Sequence, residues 1–121
     1  LAAVRSAGWG IALASASQNA ATVLERLGIT GAFDHVVDVQ RIARGKPDPE
    51  IFLSAASALG VVPARCIGIE DAVAGVQAIK AAGMVAVGIG DAAVLHQADV
   101  VLPDLRSFRP GELLRRLRFL L

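Results

Sequence analysis

The sequence predicts an α/β fold, a Rossmann-like parallel sheet flanked by helices, on three observations. Short β-type apolar runs alternate with segments of helical periodicity, glycines stand where the helices should stop, and polar residues gather in loops that follow the apolar runs. Gly10–Ala14 is expected as the first strand, and Asn19–Leu27 behind it as a helix with Val23, Leu24 and Leu27 on one face and Gly28 as its stop. Val36–Val39 reads as the second strand. Pro49–Leu59 reads as a helix with Asp48 as N-cap and Pro49 at its first position, ended by Gly60. Cys66–Ile69 is the third strand, leading into a helix over Ala72–Ala82 that Gly83 terminates. Strands Val85–Val87 and Asp99–Leu102 follow, and a last helix is expected near Pro110–Leu120. Its leucines at 113, 114, 117, 120 and 121 form a stripe that suits packing on a sheet better than lying at a membrane surface.

A chain of 121 residues has room for one domain, and no linker or repeat divides it. With 55% hydrophobic and 19% charged residues it can build a core, unlike the polar chains that remain disordered. A net charge of +1 supplies no footprint for nucleic acid or an anionic membrane. No apolar run reaches the roughly 18 residues of a membrane span, and no secretory leader pattern opens the sequence. The single cysteine, Cys66, reads as a buried free thiol, and a cytoplasmic setting is the simplest inference.

In open parallel sheets ligands bind beyond the carboxyl ends of the strands. Three loops there carry polar residues. Ser15-Ala16-Ser17-Gln18-Asn19 offers hydroxyls and free backbone N–H groups to an anion such as phosphate, although Ser17 would equally serve as a helix cap. Gly45-Lys46-Pro47-Asp48-Pro49 holds Lys46 on a stiff turn, Pro47 favouring an extended backbone before it. Ten of the twelve basic residues are Arg, so this lysine draws attention as a point charge for phosphate oxygens; its alternative is an ordinary solvated side chain. Glu70-Asp71 closes a buried-strand pattern with two carboxylates, hard oxygen ligands that suit Mg²⁺. Asp71 could instead be an N-cap, but Glu70 is costly to desolvate unless paired or metal-bound. His35 and His96 have no partners at zinc spacing, there is no Gly-x-x-x-x-Gly-Lys loop, and Gly88 and Gly90 lack the third glycine of a dinucleotide fingerprint.

Three segments in this order, Ala12-Leu13-Ala14-Ser15-Ala16-Ser17, Gly45-Lys46-Pro47-Asp48-Pro49-Glu50-Ile51-Phe52 and Gly68-Ile69-Glu70-Asp71-Ala72-Val73-Ala74-Gly75-Val76, resemble the second, third and fourth motifs of the haloacid dehalogenase superfamily, in its β-phosphoglucomutase-like branch. The resemblance runs from about Gly10 to Asp104. It implies that Ser15 binds the transferring phosphoryl group, that Lys46 offsets its charge and orients the acid nucleophile, and that Glu70 and Asp71 help hold Mg²⁺. It also implies that Ala16, Ser17 and Asn19 belong to the substrate site, with Ser17 and Asn19 at the substrate's other phosphate. Gln18 stands where mutases of this branch often carry Lys.

The family's first motif, Asp-x-Asp, supplies the nucleophile and a general acid/base. None of the seven aspartates, at 34, 38, 48, 71, 91, 99 and 104, has another two residues away. The expectation is therefore the carboxy-terminal part of a core domain, residues 1–121, without the nucleophile strand and the helical cap, and inactive by itself. For the intact protein the resemblance implies a monomeric sugar-phosphate mutase converting β-glucose 1-phosphate to glucose 6-phosphate through an aspartyl-phosphate. The alternatives are a phosphatase of a hexose phosphate or other small ester and, in another class, an inactive fragment, a binding module or half of a split enzyme.

Overall fold

The computed structural model describes residues 9–14, 26 and 33–104. Strands β1 (Ala12–Leu13) and β2 (His35–Val36) form a parallel pair, and β3 (Ile67–Glu70), β4 (Val85–Ile89) and β5 (Val100–Leu102) form a second parallel sheet in that order. Helix α1 (Glu50–Leu59) leads from the first sheet to the second, and α2 (Val73–Ala81) crosses over from β3 to β4. The expected α/β architecture is what the chain adopts. The helices expected at Asn19–Leu27 and Pro110–Leu120 lie, apart from Arg26, outside the described residues.

Period-two alternation in β4 sends its side chains to two cores. Ala86 joins the helix-side core of Ile51, Phe52, Ala55, Ala56, Val76, Ile79 and Met84. Val87 faces the opposite side with Val100 and Leu102, where Trp9, Ile67, Val85 and Ile89 pack against it. Of the three predicted glycine stops Gly28 lies outside the described residues, and the other two are observed: Gly60 and Gly83 have φ of 69° and 79°, a region open to glycine without a Cβ penalty.

Several boundaries differ from expectation. β1 is confined to Ala12–Leu13 of the predicted Gly10–Ala14, and β2 ends at Val36 rather than continuing to Val39. The reason at β2 is Asp38, whose carboxylate accepts the Gln40 N–H at 3.1 Å and starts a 3-10 turn over Val39–Arg41. Cys66 precedes β3 instead of opening it, because its N–H is used by Pro63 in a 3-10 turn over Pro63–Arg65. The thiol is half-buried rather than buried, and donates to the Val62 carbonyl at 3.4 Å. β3 runs on to Glu70 and β4 to Ile89, both pairing beyond the predicted ends, whereas β5 begins at Val100 because the Asp99 carboxylate turns inward to accept Ala86 N–H at 2.8 Å.

Helix α1 starts one residue later than predicted. Pro49 is its N-cap, and Asp48, assigned that place from the sequence, still accepts the Glu50 N–H at 3.0 Å. Among the described residues no helix is long and apolar enough to cross a membrane.

Candidate active site

The site is built at the carboxyl end of β3. Parallel pairing with β4 puts Ile67 and Ile69 on one face of the sheet and Gly68 and Glu70 on the helix side. Glu70 thus emerges beside the first turn of α2. Its Oε2 lies 2.7 Å from Lys46 Nζ, and its Oε1 accepts the backbone N–H groups of Asp71 at 3.1 Å and Ala72 at 3.3 Å. The Lys46 and Glu70 side chains are 20% and 12% exposed, so this is a partly buried ion pair rather than a surface one. The requirement deduced from sequence, that a carboxylate closing a buried strand must find a partner, is met by a residue 24 positions earlier.

Burial would raise the Glu70 carboxyl, but the hydrogen bond and charge of Lys46, together with hydrogen bonding at Asp71, outweigh it and hold the carboxyl below its ordinary value of 4.5. Glu70 is therefore an anion at neutral pH.

Lys46 is positioned by its own loop. The Lys46–Pro47 peptide is cis, and the turn is closed by the Asp48 N–H donating to the Gly45 carbonyl at 3.0 Å. Glu50 Oε2 accepts the Ala43 N–H at 2.6 Å, tying the loop to the start of α1. The ammonium also sits 5.2 Å from the centroid of the buried Phe52 ring. Neither contact was legible beforehand, since Glu50 and Phe52 read as helix residues and a cation over a ring has no fixed spacing. The second lysine, Lys80, is engaged elsewhere: it bonds both Asp99 oxygens, at 3.0 and 2.9 Å, and clips α2 to the sheet.

Asp71 is exposed and is not the helix cap; that position falls to Ala72, which has no side-chain cap bond. The donor chemistry of Glu70 and Asp71, two hard carboxylates at a strand end, fits a magnesium ion that keeps water and phosphate oxygens. Among the described residues no cluster of three or more His, Cys, Asp or Glu forms, so these two could supply only part of the coordination. Ser15, Ala16, Ser17 and Asn19 lie outside the described residues, and the structure brings together Lys46, Glu70 and Asp71 from the predicted set. A groove of about 610 Å³ is lined by Arg41, Arg44, Asp48, Glu50 and Leu53 among others, and by none of Lys46, Glu70 and Asp71.

The chain is similar in sequence and in fold to known proteins. β-Phosphoglucomutase of Bacillus subtilis is 53% identical over 92 residues, covering 76% of this chain and 41% of that protein. Validoxylamine A 7'-phosphate phosphatase of Streptomyces hygroscopicus is 40% identical over 103 residues, covering 83% of this chain and 48% of the phosphatase. The crystal structure of β-phosphoglucomutase from Clostridium difficile superposes with a TM-score of 0.92 at 40% identity, covering 97% of this chain and 52% of that one. The chain thus spans about half the length of these relatives. The family model for haloacid dehalogenase-like hydrolases matches residues 1–83, which contain both Lys46 and the Glu70-Asp71 pair, and by that match the chain belongs to this family.

Proposed function

We propose that this chain is the carboxy-terminal part of the core domain of a cytoplasmic enzyme that transfers phosphoryl groups on sugar phosphates, and that its reaction in the intact protein is the β-phosphoglucomutase one. The observation that carries the reading is the 2.7 Å contact between Lys46 and Glu70, which sets a cation of the kind that suits phosphate oxygens beside the first of two adjacent carboxylates. Relatives named β-phosphoglucomutase on both the sequence and the structural side support the substrate class.

In this reading Glu70 and Asp71 hold Mg²⁺, and Ser15 and the backbone of Ala16 bind the transferring phosphoryl group. Lys46 neutralises its oxygens and orients the attacking carboxylate, while Ser17 and Asn19 contact the substrate's second phosphate. When bound, the magnesium ion offsets negative charge on the phosphoryl oxygens. The nucleophile is an aspartate supplied by a segment outside these 121 residues. Its oxygen bonds to phosphorus as the bond from phosphorus to the sugar oxygen breaks, and a second aspartate protonates that leaving oxygen. Lys46 and Ser15 contribute by charge and position, the main protein contributions to phosphoryl transfer.

A phosphatase of a small phosphate ester is the second reading, favoured by the relatives named for validoxylamine A 7'-phosphate and fructose 1-phosphate. The two separate in one experiment. The chain is mixed with a segment carrying an Asp-x-Asp strand and a helical cap, and conversion of β-glucose 1-phosphate is followed beside release of free phosphate. Mutase action gives glucose 6-phosphate without stoichiometric phosphate; phosphatase action gives the reverse. Mg²⁺-dependent turnover by the 121-residue chain alone would refute the missing-nucleophile reading.

A further inference from the structure

Gly75 is the third residue of α2, buried, with an ordinary helical backbone that does not require glycine. Glycine weakens a helix relative to alanine, so its presence there calls for a compensating reason. The reason is Glu70. A Cβ built on Gly75 would coincide with the Cγ, Cδ and Oε2 atoms of the Glu70 side chain. The carboxylate therefore lies in the slot left by the absent side chain, within reach of Lys46 Nζ and of the N–H groups of Asp71 and Ala72.

We propose that Gly75 is a positioning residue, whose missing side chain sets the place of the Glu70 carboxylate and through it the Lys46–Glu70 pair. Its consequence for a metal ion rests on the phosphotransferase reading; its effect on Glu70 does not. With any larger residue at 75 the Glu70 side chain must shift from its present place against α2. That shift would draw Glu70 away from the Asp71 and Ala72 N–H groups and from Lys46.

The test is a double-mutant cycle on the chain, read by urea unfolding, with Gly75→Ala placed in the unsubstituted and the Glu70→Ala backgrounds. In the unsubstituted chain Gly75→Ala should lower the urea midpoint. In the Glu70→Ala background, where the slot is empty, it should raise the midpoint as expected for a helix. Shifts of the same sign and size in both backgrounds overturn the proposal. If Gly75→Ala alone does not fold, a folded Glu70→Ala/Gly75→Ala chain supports it and an unfolded one overturns it. Mn²⁺ binding, followed by electron paramagnetic resonance, gives a readout that general stability does not move. Gly75→Ala should weaken it at least tenfold, and unchanged affinity in a folded variant overturns the positioning role. Failure of the unsubstituted chain to bind Mn²⁺ would instead sink the metal reading, while the unfolding cycle still decides the place of Glu70.

Discussion

Replacing Lys46 by Met tests the centre of the site, because it removes the ammonium and keeps most of the aliphatic stem. What is left behind is the Glu70 carboxylate, 12% exposed and retaining, among the described residues, the Asp71 and Ala72 N–H donors. A hydrogen bond to a charged group contributes about 1.5–3 kcal/mol, and the cation over the Phe52 ring adds about 0.5–1. Loss of a fully buried partner would cost about 3–5 kcal/mol. Lys46 keeps 20% exposure, so water partly compensates and the expected loss is about 2–3 kcal/mol. In a domain of this size that lowers Tm by about 10 °C. The assay is urea unfolding at neutral pH, read by circular dichroism, for Lys46→Met, Glu70→Gln and the double variant. Neutralising Glu70 in the Lys46→Met background should restore at least half of the loss, since the stranded charge is then gone. A Lys46→Met chain within about 0.5 kcal/mol of the unsubstituted one would refute the account. So would a double variant whose loss is the simple sum of the two singles.

Other outcomes follow from the same geometry. The Glu70 carboxyl is held below its ordinary value of 4.5, so the stability it contributes is fully present above that pH and is lost as pH falls through its lowered folded-state value. Glu70→Gln should therefore flatten the acid side of the stability profile below pH 4.5, and parallel profiles for the two chains would contradict this. Ile79→Ala should cost about 3–4 kcal/mol, because Ile79 is 0% exposed in the core between α2 and the sheet; a loss below about 1 kcal/mol would mean the core collapses around the gap. In the proposed phosphotransferase reading, Asp71→Asn in the chain completed with a nucleophile segment should reduce kcat about a thousandfold, the scale of losing metal stabilisation of phosphoryl charge, and near-normal turnover would remove Asp71 from the proposed metal site.

The elements were legible where one local rule governed them. Gly60 and Gly83 announced the helix ends, and the apolar runs announced β3 to β5, because both signals depend on residues close in sequence. Boundaries failed where a carboxylate competed with the backbone ladder. Asp38 draws Gln40 N–H into a turn at the end of β2, and Asp99 spends its carboxylate on Ala86 and Lys80 before β5 begins. In the site, the need of Glu70 for a partner was readable from desolvation cost, but the partner's identity depends on how the α1 and α2 layers pack. The contact of Lys46 with Phe52 and the slot at Gly75 join residues near in sequence, but they depend on how the loop enters α1 and the turn enters α2, which residue spacing does not specify.

Among the described residues the strands fall into two sheets, and the candidate site draws on both. Lys46 follows the β1–β2 pair, whereas Glu70 and Asp71 end a strand of the β3–β4–β5 sheet, and among the described strands no backbone ladder joins the two. Between the two, α1 and α2 share one core through Ile51, Phe52, Ala55, Ala56, Val76 and Ile79. The Lys46–Glu70 contact is therefore a tertiary one, linking the loop that follows the first pair of strands to the end of a strand in the other sheet.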